Sequence, residues 1–462
     1  MRRHIYDDDI WYSIGLRYVR LATRLCYRRF HVTGKQRIPE DAHVILVSNH
    51  SNALMDPLVM LLAVGKKIVF MARADIFRRP FVRSILTWLR ILPIYRIRDG
   101  YDAVRSNDSA IAQAVDVVVH RTPLCLYPEG THRTMHSLLR LSKGLFHIAL
   151  DAHDAGAQPV YIVPVGIEYS DYFRFRADVE VTVGELINVS EFVEDFKSTS
   201  GLSPREGEED EPDGGLSADV EPKEAFHAGG DAAAKASDGR GRQMNALRER
   251  LTQALQDLFT WLPDDEDYDA LWELTQLRTA WQRPSSAKES MTQGQREVSR
   301  LLGEREAMPE QMKKLCSQAL AFKREREARR IDIRSTSYAH PWRHVVGRAL
   351  LLLVTLPLFA LCAALSWPVW LLTTVVARRA HDPAWQNTWR FAVCVILMPL
   401  LVITVALIGF SHLSWGAALA LTLLAAGSIP FVYDWMAQFR RLCSDVRWLR
   451  SPALRAAAES LR

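Results

Sequence analysis

Cysteine is scarce in this sequence, and what there is lies scattered. The six thiols, Cys26, Cys125, Cys316, Cys362, Cys394 and Cys443, form no Cys-x-x-Cys pair and no cysteine and histidine cluster at zinc spacing. That pattern excludes a disulfide scaffold and a structural zinc site, and no metal centre is expected. The thiols read as reduced and mostly buried, in a cytosol-facing protein. An uninterrupted apolar stretch is missing from the amino terminus, where Arg2-Arg3-His4 runs into Asp7-Asp8-Asp9, so no cleavable signal peptide is expected. A Gly-x-Ser-x-Gly elbow is missing too, which counts against a serine-based lipid hydrolase. Acid is locally absent: from Lys66 to Arg98 the bases Lys66, Lys67, Arg73, Arg78, Arg79, Arg83, Arg90, Arg96 and Arg98 meet Asp75 alone. Such a stretch attracts phosphate, whether on a small substrate, a nucleotide or an anionic lipid headgroup. Nucleic acid is not an expected partner, because no helix-turn-helix, zinc or RNA-binding signature accompanies the bases. A formal charge of +5 over 462 residues decides nothing further, and the length allows two or three domains.

The apolar runs that are present end in reactive residues. Val44-Ile45-Leu46-Val47 leads into Asn49-His50-Ser51-Asn52-Ala53-Leu54-Met55-Asp56-Pro57. A buried strand that delivers a histidine and a carboxylate to its carboxyl end puts a titratable pair where α/β sheets hold ligands. Such a pair supports proton abstraction, the imidazole taking a proton from a hydroxyl while the carboxylate fixes its tautomer. Positions six apart lie about 240° apart on an ideal helix, so the contact must run through a turn, with His50 before a helix and Asp56 inside it. Three further blocks follow. Leu92-Pro93-Ile94-Tyr95-Arg96 ends an apolar run in a guanidinium, whose planar fork suits phosphate. Cys125-Leu126-Tyr127-Pro128-Glu129-Gly130-Thr131-His132-Arg133 supplies a carboxylate, a glycine, a hydroxyl and a cation after another run. Val160-Tyr161-Ile162-Val163-Pro164-Val165-Gly166 is a strand whose internal proline implies a sheet edge, a bulge or a strand end.

In this order and spacing, over about Phe30 to Asn188, the four blocks resemble the PlsC-like glycerolipid acyltransferase superfamily. The family's first block usually places four residues between His and Asp. Here five intervene, Ser51 to Met55, in an Asn-His-x-Asn form similar to the branch that holds fungal-type glycerol-phosphate acyltransferases. The usual leading glycine of the second block is absent. The resemblance implies an α/β acyltransferase domain, a mixed sheet flanked by helices. It implies His50 as general base and Asp56 as its orienter. Arg96 would bind the acceptor's phosphate, and Asn49, Asn52, Glu129, Gly130, Thr131, Arg133, Lys143 and Pro164 would shape the substrate site. No cofactor is implied; the co-substrate would be acyl-CoA or acyl-ACP, acyl carrier protein then being a partner, and the hydroxyl would attack the thioester directly. The implied acceptor is lysophosphatidate, with glycerol 3-phosphate as the alternative, and a non-catalytic lipid-binding scaffold is the competing class.

Around this domain the composition divides the chain. Residues 1–29 form an amphipathic basic helix that either lies in a bilayer interface or packs on the catalytic core. Residues 30–197 carry the catalytic domain, with strands expected at Val44 to Ser48, Ile68 to Ala72, Leu92 to Tyr95, Leu124 to Tyr127, Tyr161 to Tyr169 and Val179 to Val183. Residues 198–243, rich in Gly, Ser, Ala and acid, are expected to be disordered, and 244–344 to be a helical connector. Over 345–440, three apolar segments are each near or above the roughly 20 residues that span a bilayer. Arginines flank all of them except at Ser411-His412-Leu413-Ser414. That places the catalytic domain on the cytoplasmic face, with a hairpin turning at that gap, and Val345 to Val376, broken by Pro357 and Pro368, re-entering its own side. Residues 441–462 are a basic tail.

Overall fold

The computed structural model describes residues 4–7, 9–95, 101–199, 225–282, 284–337 and 341–461. Its first part runs α1 (Ile10–Cys26), β1 (Arg29–Thr33), β2 (His43–Ser48), α2 (Met55–Val64), β3 (Val69–Arg73), α3 (Pro80–Trp88) and β4 (Ile91–Ile94). It continues α4 (Tyr101–Val119), β5 (Leu124–Leu126), α5 (Gly144–Asp154), β6 (Val160–Tyr169), β7 (Asp178–Val183), β8 (Ile187–Asn188) and α6 (Val189–Thr199). The strands form one sheet in the order β1-β7-β6-β2-β5-β3-β4, with β8 beside β6. Parallel pairs dominate its centre, β6-β2-β5-β3-β4, while β7 and β8 run antiparallel to β6. It is therefore a mixed sheet. Successive residues of β2 face opposite layers: Ile45 and Val47 pack with α4, α5 and α6, whereas Val44 and Leu46 pack with α2. A strand buried on both faces has no polar side to show, which is why these runs are continuously apolar.

Pro164 is not at an edge. It sits in central β6, opposite Val47 of β2, where β6 changes its other neighbour from β8, paired at 161–162, to β7, paired from 165 onward. Its carbonyl faces that gap and accepts Gly184 N–H at 2.9 Å. A residue's N and C=O point to the same side of a strand, so the missing donor falls where no ladder bond is due.

Helix continues from Ala225 to Gln256 as α7, so the second half of the stretch expected to be disordered is helical, while residues 200–224 lie outside the described residues. Met244, Leu247, Leu251 and Leu255 of α7, with Leu258 just beyond it, are buried in the same core as α5 and α6. The helical part expected to be a connector thus begins as a wall of the catalytic domain. After it come α8 (Tyr268–Gln282), α9 (Ala287–Ala307) and α10 (Pro309–Ala328). They share a separate core that also takes Trp448, Leu454 and Leu461 from the carboxyl-terminal end, so the expected tail is packed structure.

Among the described residues three helices are long and apolar enough to cross a membrane: α11 (Pro341–Arg378), α12 (Gln386–His412) and α13 (Trp415–Leu449), followed by a short α14 (Pro452–Ser460). The expected break in α11 is absent. It is one helix of 38 residues through Pro357 and Pro368, bent so that Thr355 and Thr373 meet Trp435 and Tyr433, which lie close together on α13. Val369, Phe391 and Ile429 of these helices are buried in the α2 layer of the sheet's core, which joins the long apolar helices to the sheet domain by packing.

Candidate active site

His50 and Glu129 follow β2 and β5, neighbouring parallel strands, at their carboxyl ends. The chain leaves β2, makes a turn in which Ala53 adopts φ +38° and Met55 N–H bonds Asn52 O at 2.8 Å, and enters α2 with Asp56 in its first turn. That turn accommodates the five-residue spacer. Asp56 is fully buried, and its Oδ2 meets His50 Nδ1 at 2.7 Å. The same oxygen accepts Ser51 N–H and Asn52 N–H at 2.8 Å each, and Oδ1 accepts Tyr169 O–H at 2.7 Å. Four donors on one carboxylate, at the amino end of a helix, hold it rigid. Because Asp56 accepts at Nδ1, that nitrogen carries the hydrogen, and Nε2 keeps its lone pair. Among the described residues Nε2 has no hydrogen-bond partner, and the His50 side chain is 17% exposed. Tyr127 stacks on the ring, centroids 4.5 Å apart.

Several residues expected to meet substrate are engaged elsewhere. Glu129 spends Oε1 on His50 N–H at 2.8 Å and Oε2 on Leu139 N–H at 3.0 Å. Burial pushes its carboxyl up, against the pull of those two amides. Asn49 grips β6, donating to Ile167 O at 2.9 Å and accepting Ile167 N–H at 2.8 Å. Asn52 is buried and donates to Tyr172 O at 3.0 Å. Arg133 donates its backbone N–H to His50 O at 2.9 Å, while its guanidinium turns away to Asp264 and to Ser137 Oγ at 2.6 Å. These residues hold His50 in place through the backbone. Gly130 has φ +69° in the turn closed by its N–H on Tyr127 O, a conformation open to glycine, and Thr131 beside it is exposed. Lys143 is exposed at the amino end of α5, with Gly144 beneath it near Ile94 Cδ1. Arg96 lies outside the described residues. Arg90, counted in the basic stretch, is buried under Tyr12 and bonded to Asp7 O at 2.8 Å.

Two contacts escaped sequence reasoning. Tyr169, in β6, is the fourth ligand of the Asp56 carboxylate; its place in the fourth run was visible but its partner was not. His132 Nε2 meets Asp382 Oδ2 at 2.8 Å, across 250 positions, from the connector between α11 and α12. The His132 ring stands edge-on to His50 with centroids 5.7 Å apart, and edge-on to Trp385 at 6.0 Å. Nothing near Asp382 in sequence points to this pairing.

Residues 29–168 match the family model described as Acyltransferase. That stretch is similar to the acyltransferase family. Similar curated proteins include the 1-acyl-sn-glycerol-3-phosphate acyltransferase of Borreliella burgdorferi, 29% identical over 119 residues, covering 26% of this chain and 45% of that one. The 1-acyl-sn-glycerol-3-phosphate acyltransferase alpha of Mus musculus is 29% identical over 183 residues, covering 38% and 57%. The chloroplastic LPAT1 of Arabidopsis thaliana, also a 1-acyl-sn-glycerol-3-phosphate acyltransferase, is 23% identical over 147 residues, covering 32% and 37%. The chain thus spans about half the length of the relatives it matches or less. Among solved structures, the 1-acyl-sn-glycerophosphate (LPA) acyltransferase PlsC of Thermotoga maritima aligns with 44% of this chain and 86% of its own, at 20% identity and a TM-score of 0.31. The acyltransferase domain matched by the family model contains His50, Asp56, Glu129, Arg133 and Pro164, and ends before α7 and the membrane helices that pack on it.

Proposed function

We propose that this chain is a membrane-bound acyltransferase that moves a fatty acyl group from an acyl thioester, on CoA or acyl carrier protein, to the hydroxyl of lysophosphatidate. The observation that carries the reading is the His50–Asp56 pair, with an anchored carboxylate on Nδ1 and an open Nε2. His50 Nε2 takes the proton of the acceptor hydroxyl as its oxygen attacks the thioester carbonyl. Asp56 stabilises the imidazolium that forms. Collapse of the tetrahedral adduct breaks the C–S bond, and the thiolate recovers the proton from His50. No cofactor enters this sequence, and much of the acceleration comes from holding two substrates in register. The named relatives support the acceptor.

The apolar surface supports a site at the bilayer. Helix α1 buries Tyr12, Leu16 and Cys26 on the domain and exposes Ile10, Trp11, Ile14, Leu21 and Leu25 on another side. It therefore packs on the core with one stripe and leaves a second exposed, which supports contact with lipid there. Helix α3 has no buried residue and adds Phe81, Ile85 and Trp88, with exposed Arg78, Arg79 and Arg83 beside them. Tyr18 of α1 donates to Val395 O of α12, so this shelf adjoins a membrane helix. The arginine-rich flanks of the spans favour the cytoplasmic face for the catalytic domain.

The test is acyl transfer by the purified full-length protein in vesicles, with lysophosphatidate and glycerol 3-phosphate offered against acyl-CoA and acyl-ACP. Wild-type protein should acylate lysophosphatidate, and His50→Ala should lose at least about a thousandfold, the order attached to removing a general base. Preference for glycerol 3-phosphate would reassign the acceptor. Equal activity in wild type and His50→Ala would refute the mechanism, and no transfer to any acceptor would leave a lipid-binding scaffold.

A further inference from the structure

The connector between α11 and α12, and the first turn of α12 after it, each reach the active site at a point that the proposed reaction has not used. At the first, Asp382 Oδ2 takes His132 Nε2 at 2.8 Å, while its Oδ1 accepts Ala384 N–H at 2.9 Å, so the carboxylate is fixed by its own turn. At the second, Asn387 donates to Tyr172 O at 2.6 Å, the same carbonyl that takes Asn52 from the His50 turn at 3.0 Å. His132 is the cation-forming side chain of the third block that faces His50, since the Arg133 guanidinium is turned to Asp264. Asp382 also lines a pocket of about 500 Å³, together with Val376, Arg379, His381, Trp385 and Trp389. Aromatic and aliphatic walls with an arginine and a histidine suit a molecule that is part anion and part hydrocarbon.

We propose that this membrane connector is a wall of the acceptor site, with Asp382 as a positioning residue that holds His132 beside His50 to meet the acceptor's anionic headgroup. The proposal rests on the acyl-transfer reading and adds to it a part of the chain beyond the matched domain. An imidazole tethered through Nε2–H can turn in only a small arc, so its other nitrogen stays near the catalytic ring, where, when it too carries a proton, it can donate to the anion; cutting the tether frees the ring to rotate away. The loss should fall on acceptor binding, because neither residue reaches the proton that His50 moves.

The experiment uses full-length protein in vesicles, lysophosphatidate as the acceptor and acyl-CoA as the donor, comparing wild type, Asp382→Asn, His132→Asn and the double variant. Each single change should raise the acceptor KM about tenfold while kcat and the acyl-CoA KM stay within about twofold. The double variant should be no worse than either single one, as for two residues acting through one contact. An unchanged acceptor KM in Asp382→Asn, a loss confined to the acyl-CoA KM, or losses that multiply in the double variant would each overturn the proposal. Wild-type protein that acylates no acceptor sinks the acyl-transfer reading itself, which separates the two failures.

Discussion

Thr260 joins two buried titratable groups of opposite tendency. Its backbone N–H and Oγ1 meet Glu168 at 2.8 and 3.0 Å, and its carbonyl faces His136 Nδ1 at 3.2 Å. Burial, with help from Glu180 across the β6/β7 pair, pushes the Glu168 carboxyl up to about 7; burial against Trp272 pushes His136 down to about 4. A raised carboxyl contributes stability that is present below the unfolded value and lost as pH rises toward 7. A depressed histidine contributes stability present above its unfolded value of about 6.5 and lost as pH falls toward 4. Between about pH 4.5 and 6.5 the two trends oppose each other. Glu168→Gln should therefore make the slope of stability against pH more positive in that window, and His136→Asn more negative, each by at most about 1.4 kcal/mol per pH unit. Thermal midpoints of the detergent-solubilised protein across that range are the check, and parallel curves for wild type and both variants would contradict the assignment. Glu129 offers a sharper contrast between roles. Its two oxygens hold two amides, so Glu129→Gln leaves one of them facing an NH₂ group and displaces the His50 backbone. kcat should fall about ten- to a hundredfold with the acceptor KM nearly constant, whereas a substrate-binding Glu129 would show the reverse.

At the scale of elements, the close approach of the chain after α7 to the sheet depends on Gly166. A Cβ there would overlap the Leu258 carbonyl and come within 2.6 Å of the Leu258 Cβ. Gly166→Ala should cost about 1–3 kcal/mol by overpacking, seen as a lower thermal midpoint with the His50–Asp56 pair intact. The same closeness explains what sequence could and could not supply. The strands β2 to β7 announce themselves because each is a short apolar run buried in the sheet, and the His50 and Asp56 pair announces itself because both residues lie in one turn. Edge strand β1, Arg-Phe-His-Val-Thr with two of its five residues exposed and none buried, carries no such run. The role of α7 was hidden because its apolar face reads the same whether it covers a connector or a sheet. The duties of Asn49, Glu129 and Arg133 were hidden because their partners are backbone atoms, which leave no trace in composition. For the α1 and α3 shelf, Phe81→Glu should lower the rate with vesicle-embedded acceptor about tenfold and leave the rate with detergent-dispersed acceptor within twofold. Equal losses in both media would mean that Phe81 serves folding and not contact with lipid.

Across the whole molecule, the ends of α11 decide the membrane topology. Near its start, Arg348 pairs with buried Asp445 of α13, which also takes Ser335 Oγ at 2.7 Å from the segment before α11. Near its end, Thr373 meets Tyr433 of α13 at 3.0 Å, one residue from Asp434, which binds Arg176 beyond β6 at 2.8 Å. Both ends of α11 therefore touch the same stretch of α13, on the side where α13 meets the catalytic domain, even though the helix is far longer than the roughly 30 Å hydrocarbon core. Helices α12 and α13 instead diverge from that side and meet at the tight turn Leu413-Ser414, where Gly409 packs on Ala418. With both ends beside the same sheet domain, α11 is expected to keep them in one compartment. Cysteines introduced at Trp342 and Arg379 should accordingly react with an impermeant maleimide from the same face of sealed vesicles, and a cysteine at Ser414 from the opposite face. Labelling of 342 and 379 from opposite faces would mean three full crossings, and would leave the connector that carries Asp382 on the same side as His132 only if the catalytic domain were separated from the beginning of α11.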